Sequence, residues 1–151
     1  MDEARQACHP THSRRRIMET NYPERHHELQ TVLGKMRREI AGPMSGFEHL
    51  HKEAVAGGEL SGKHKELIAL AIAIALRCDD CLAWHVHDAM RAGASRQEIL
   101  ETVSVAVMMG GGPAVVYACH VFDAIEQFEG RDGGLPSASG FLSAGVGRGA
   151  A

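Results

Sequence analysis

Residues 78–85 read Cys-Asp-Asp-Cys-Leu-Ala-Trp-His, and they hold the side chains best suited to chemistry. At 3.6 residues per turn, positions i, i+3 and i+7 share a helix face. Cys78, Cys81 and His85 occupy those offsets, and Cys81 and His85 are also one turn apart. A Cys-x-x-Cys pair at a helix start can close a small disulfide, and the free N–H groups and dipole of that end favour a thiolate. An imidazole one turn further on can take the thiol proton or hydrogen-bond the thiolate. A thiolate attacks an O–O bond or a disulfide, becoming a sulfenic acid or a mixed disulfide that a second thiol resolves. Asp79 and Asp80 act in the opposite direction, because nearby anions disfavour a thiolate unless they cap the helix and point away.

Zinc is the rival chemistry. Cys78, Cys81 and His85 could supply three ligands, with His87, Cys119 or His120 as the fourth. No second Cys-x-x-Cys and no His-x3-His pair accompanies them, and Cys119 and His120 are adjacent rather than helically spaced. The expected site therefore holds no metal and no bound cofactor. His87 lies about 200° around the helix from His85 and is expected at the surface or an interface. His120 is expected as a satisfied core or interface histidine. His26, His27, His49 and His51 have no ligand-like company and are expected to be solvated. Cys8 and Cys119 lack a visible base. The Gly110-Gly111-Gly112 run lacks the lysine and spacing of a phosphate loop, so it is read as a tight interhelical turn.

The elements that must position these residues are helical. The chain has 151 residues, 44 % hydrophobic and 23 % charged, with a net charge of -3 and only 5 % aromatics. That size accommodates one ordinary domain. The balanced charge and scarce aromatics exclude nucleic acid as the main partner. The longest apolar run, Leu67 to Leu76, covers ten residues, whereas a bilayer needs roughly twenty. No membrane span is expected, and the charged N-terminus shows no secretory h-region. A reducing cytoplasmic setting follows as the expectation.

Three zones are legible: a polar extension at 1–23, a helical domain at 24–129 and a Gly/Ser-rich tail at 130–151. The tail is expected to be an appendage or a peptide that docks the protein to a larger assembly. Within the domain, the periodicity predicts helices over about 24–41 (apolar at Leu29, Val32, Leu33, Met36 and Ile40) and about 44–56. A third starts at the N-cap Ser61 and is apolar almost all round from Leu67. A fourth runs from Cys78-Asp79 to Gly93. A fifth opens on the Ser95/Glu98 capping box and runs to Met109, and a sixth runs from Pro113 to about Glu129. The fold class is thus all-α, an antiparallel bundle of about six helices. Its apolar faces exceed what short helices hide alone, so a homo-oligomer is expected.

The motif Glu66-x11-Cys78-x-x-Cys81-x3-His85 is set within KELIALAIAIALRCDDCLAWHVHDAMRAGASRQEILETVSVAVMMGGGPAVVYA. It resembles the alkylhydroperoxidase D-like branch of the carboxymuconolactone decarboxylase superfamily, over residues 45–128. The resemblance implies an all-helical trimer or hexamer with a thiol-dependent peroxidase or disulfide reductase site. It makes Cys81 the peroxidatic cysteine and Cys78 the resolving one, closing a redox-active Cys78–Cys81 disulfide. His85 becomes the base and Glu66 its orienting or relay partner. The substrate is then a hydroperoxide, and the reductant an external dithiol such as a lipoyl group or a thioredoxin-like protein. The family's peroxidase prototype carries a histidine just before the second cysteine, where this chain has Asp80. Members that decarboxylate a lactone lack the cysteine pair. A disulfide reductase, a zinc-stabilised protein and a non-enzymatic scaffold are the alternative readings. In a hairpin turning at Cys78, Glu66 lies twelve residues before the turn and His85 seven after it. That offset of five residues is about 7.5 Å along the axis, so spacing alone does not bring Glu66 to His85.

Overall fold

The computed structural model describes residues 20–131, all helix and connection with no strand among them. Five helices follow in order: α1 (Tyr22–Glu39), α2 (Ala41–Val55), α3 (Gly62–Leu76), α4 (Asp79–Arg91) and α5 (Arg96–Arg131). The bulk of the extension at 1–23 and of the tail at 130–151, with its expected docking role, lies outside the described residues.

Capping chemistry explains most boundaries. Asn21 caps α1, its side chain accepting from the Glu24 N–H, and Pro23 fills the first turn where no N–H is needed. Ser61 caps α3 by accepting from the His64 N–H at 3.3 Å. At the start of α5 the capping box closes in both directions: the Glu98 N–H donates to Ser95 Oγ at 3.2 Å, and the Ser95 N–H donates to Glu98 Oε2 at 2.8 Å. Ile40, at φ -129° and ψ 57°, separates α1 from α2. Gly42 and Pro43 consequently lie inside the first turn of α2 rather than between helices.

The sixth helix is the far arm of α5. Gly111, at φ 65° and ψ -156°, breaks the helical path, and Pro113 follows in the first turn of the second arm. A β-carbon added at Gly110 would lie 2.6 Å from Ala114 Cβ, so the break is also a close helix–helix approach. By length and composition alone Arg96–Gly130 could cross a membrane. Gly111 breaks that length into two arms.

The core is contiguous across α3, α4 and both arms of α5. Leu70 and Ile74 of α3, Leu82 and Val86 of α4, Ile99 before the kink and Val121 and Ile125 after it are fully buried. Each such side chain contributes roughly 1.5–3 kcal/mol of burial. α1 attaches mainly through its first turns and only partly through the expected face, of which Leu29 and Leu33 are half-buried. Val32, Met36 and Ile40 are exposed, and Tyr22, Pro23 and His26 are buried instead. The Tyr22 N–H donates to Gln127 Oε1 at 2.9 Å and Gln127 Nε2 donates to the Thr20 carbonyl at 3.0 Å, which ties the start of α1 to the end of α5. The all-round burial expected of α3 is also corrected. Ile68, Ile72 and Leu76 are exposed on it, as are Val105, Met108, Met109, Val115 and Val116 on α5.

Candidate active site

The turn between α3 and α4 shapes the site. Arg77 adopts φ 55° and ψ 49°, and the Cys78 N–H donates to the Ala73 carbonyl while the Arg77 N–H donates to that of Ile74. These bonds form a Schellman motif with arginine in the left-handed position usually held by glycine. The same Cys78 is the N-cap of α4, where its Sγ accepts from the Cys81 N–H at 3.3 Å. One residue thus ends one helix and begins the next. Cys78 and Cys81, with Cα atoms 5.2 Å apart, are joined as a disulfide at the N-terminus of α4. Both are half-buried.

Glu66 projects from α3 and is 6 % exposed. Its Oε2 meets His85 Nδ1 at 2.8 Å, so the axial offset between them is spanned directly by the two side chains, without a bridging group. An ionised carboxylate can only accept, so the contact puts a proton on Nδ1, and in the neutral imidazole the lone pair is then on Nε2. His85 lies one turn beyond Cys81 on the same face of α4, at a spacing that puts Cβ atoms about 5–6 Å apart. The arrangement is a half-buried sulfur pair, an imidazole of defined tautomer and a buried carboxylate that fixes it.

The two aspartates between the cysteines have partners of their own. Arg25 Nε donates to Asp80 Oδ1 at 2.5 Å and its NH2 lies 3.8 Å from Asp79 Oδ2. The Tyr117 hydroxyl donates to Asp79 Oδ1 at 2.6 Å. Burial, then the hydrogen bond and charge of Asp79, push the Tyr117 phenol well above its usual range, so it stays a donor. The carboxylates sit in the first turn of α4, where they complement the dipole, and their charge is partly met by Arg25. Sequence reasoning missed Arg25. It missed the Tyr117 contact as well.

The remaining candidates divide. His120 bonds the Tyr22 hydroxyl through Nδ1, a satisfied histidine as expected. Cys119 is exposed. His26 is buried, not solvated, and His87 packs against it with ring centroids 4.1 Å apart. Among the described residues the metal-capable grouping is His26, His87 and Asp88, which contains no cysteine.

A profile of the carboxymuconolactone decarboxylase family matches residues 43–124, more than half of the chain. The chain belongs to that family. The match takes in α2, α3, α4 and most of α5, including Glu66, both cysteines and His85, and leaves α1 outside. A carboxymuconolactone decarboxylase family protein from Legionella pneumophila superposes with a TM-score of 0.69 at 39 % identity, covering 71 % of this chain and 96 % of that one. A second family member, from Thermotoga maritima, for which a role in the antioxidative response is suggested, superposes with a TM-score of 0.57 at 28 % identity over 60 % of this chain and 94 % of its own. An uncharacterized protein of Cupriavidus necator is 35 % identical over 111 residues, 72 % of this chain and 98 % of its own length. The carboxymuconolactone decarboxylase family thus supplies the all-helical fold expected from the periodicity.

Proposed function

We propose that this family member is a thiol-dependent peroxidase that cycles through the Cys78–Cys81 disulfide. The observation that carries the reading is the Glu66–His85 contact one turn beyond the cysteine pair. In the reduced protein, Nε2 of His85 accepts the Cys81 thiol proton. The thiolate attacks one peroxide oxygen, the O–O bond breaks, and the alkoxide leaves with the proton held on His85. Cys81 is then a sulfenic acid. The Cys78 sulfur attacks it, water leaves, and the disulfide closes. An external dithiol, such as a lipoyl group or a thioredoxin-like protein, supplies two electrons and two protons and restores both thiols. The sum is hydroperoxide plus dithiol to alcohol, water and disulfide.

A second reading uses the same atoms on a disulfide substrate. It is favoured by Asp80, an anion paired with Arg25 at the position where the family's peroxidase prototype has a histidine. The two are separated by a free-thiol count on reduced, metal-free protein with Cys8 and Cys119 replaced by serine. One equivalent of an organic hydroperoxide should remove both remaining thiols, and a dithiol should restore them. Thiols that survive peroxide but are consumed by a small disulfide would assign the reductase instead, and thiols inert to both would leave a scaffold.

The reading includes a homo-oligomer, a trimer or hexamer, formed through the exposed apolar surface of α3 and α5, where Leu76, Met108 and Met109 are each more than 70 % exposed. So many exposed large apolar side chains on two helices favour association. Sedimentation equilibrium should return a mass three or six times 16.3 kDa, and a monomer would refute that part.

A further inference from the structure

Where α1 packs on α4, three metal-capable side chains converge. His26 comes from α1, and His87 and Asp88 come from α4. One ligand atom from each lies within 4.8 Å of the other two. His26 is 7 % exposed, and its Nε2 is buried with no hydrogen-bond partner. Buried ring nitrogens are rarely left in that state, because losing water without gaining a partner costs free energy. His87 Nδ1 is 2.8 Å from Asp88 Oδ1, so the carboxylate already orients one imidazole. Trp84 and Phe128 wall the pair, with ring centroids 5.2 Å and 6.2 Å from that of His26.

We propose that His26, His87 and Asp88 bind a divalent transition cation of the zinc type, which clamps α1 onto α4. Two imidazoles and a carboxylate are a donor set suited to such ions, with water completing the coordination. Ligand atoms around tetrahedral zinc stand about 3.3 Å apart, given bonds of roughly 2.0–2.1 Å, so the side chains need to draw together by at most about 1.5 Å. His87 and Asp88 are only half-buried and can move by that much.

α1 lies outside the residues matched by the family profile, and the clamp would fix it to the helix that carries the cysteine pair.

The test is zinc uptake by the full chain with Cys8 and Cys119 replaced by serine and the Cys78–Cys81 disulfide closed, so that no thiol competes. Calorimetry with zinc chloride at neutral pH should show one equivalent bound. His87→Gln and Asp88→Asn, at half-buried positions and checked for helix content by circular dichroism, should each weaken binding at least ~10-fold, the scale known for disturbing metal-site partners. The double substitution His49→Ala with His51→Ala should leave uptake unchanged. Cobalt should give visible absorption bands that disappear in His87→Gln. Absence of stoichiometric uptake, uptake unaffected by both His87→Gln and Asp88→Asn, or uptake lost with the His49/His51 pair would each overturn the proposal.

Discussion

Replacing Glu66 tests the proposed proton chemistry most directly, because two substitutions separate charge from geometry. The Glu66–His85 bond is 2.8 Å long, with side-chain exposures of 8 % and 18 %, so solvent screens it only weakly. Glu66→Gln keeps a carbonyl oxygen that can accept from Nδ1 but removes the charge that stabilises the imidazolium formed during turnover. Hydrogen bonds to charged groups contribute about 1.5–3 kcal/mol and neutral ones about 0.5–1.5 kcal/mol. The difference, about 1–1.5 kcal/mol, corresponds to a roughly 5- to 13-fold slower chemical step. Glu66→Ala also frees the ring to rotate and removes the whole bond, so its loss should reach roughly 10- to 150-fold, from about 1.5–3 kcal/mol. The assay is single-turnover oxidation of reduced protein by an organic hydroperoxide at neutral pH, quenched and read as disulfide formed per chain. Helix content should match the wild type in both variants. The expected order is wild type, then Glu66→Gln, then Glu66→Ala. Equal rates for all three would refute the idea that Glu66 acts through His85, and so would a Gln variant slower than the Ala variant.

Cys81→Ser should abolish peroxide turnover, whereas Cys78→Ser should still form one sulfenic acid, seen as a single mass adduct with a sulfenate-trapping reagent. Equal reactivity in both variants would reverse or remove the role assignment. Glu98, hydrogen-bonded by Lys63 and by the Ser95 N–H, is pulled down to about 2 from an ordinary 4.5. A depressed carboxyl contributes stability that is complete above the unfolded value, so this share should vanish as pH falls from 4.5 towards 2. Glu98→Gln should lower the melting temperature at pH 7 and flatten that acid limb, and an unchanged limb would show the capping box to be unimportant there. Gly110→Ala sets a β-carbon 2.6 Å from Ala114 Cβ. It should cost about 1–3 kcal/mol in urea unfolding, against little steric cost for Gly112→Ala, where nothing lies within 4 Å.

Much of this protein was legible one residue type at a time. Ser61, Ser95 with Glu98, and Gly93 marked helix ends because capping depends on a few neighbouring atoms, and each is found at its end. Arg77 gave no such mark. It occupies the left-handed position, at a cost of roughly 1–2 kcal/mol for a residue with a β-carbon, because the chain must turn where Cys78 both ends α3 and caps α4. Periodicity misjudged α1 for a related reason. Amphipathicity shows which side of a helix is apolar, but the side facing the core was set by Tyr22 and His26 meeting α4 and α5.

The sequence by itself determined the helical class, the family resemblance and the alignment of Cys78, Cys81 and His85, since all three rest on short-range spacing along one chain segment. It also determined that Glu66 stands at motif distance. Only the tertiary structure decided that Glu66 touches His85, that Arg25 and Tyr117 engage Asp80 and Asp79, and that His26 and His87 share a buried cluster. Each of those contacts joins residues on different helices. How two helices cross depends on the packing of every side chain between them, and no local pattern encodes that sum.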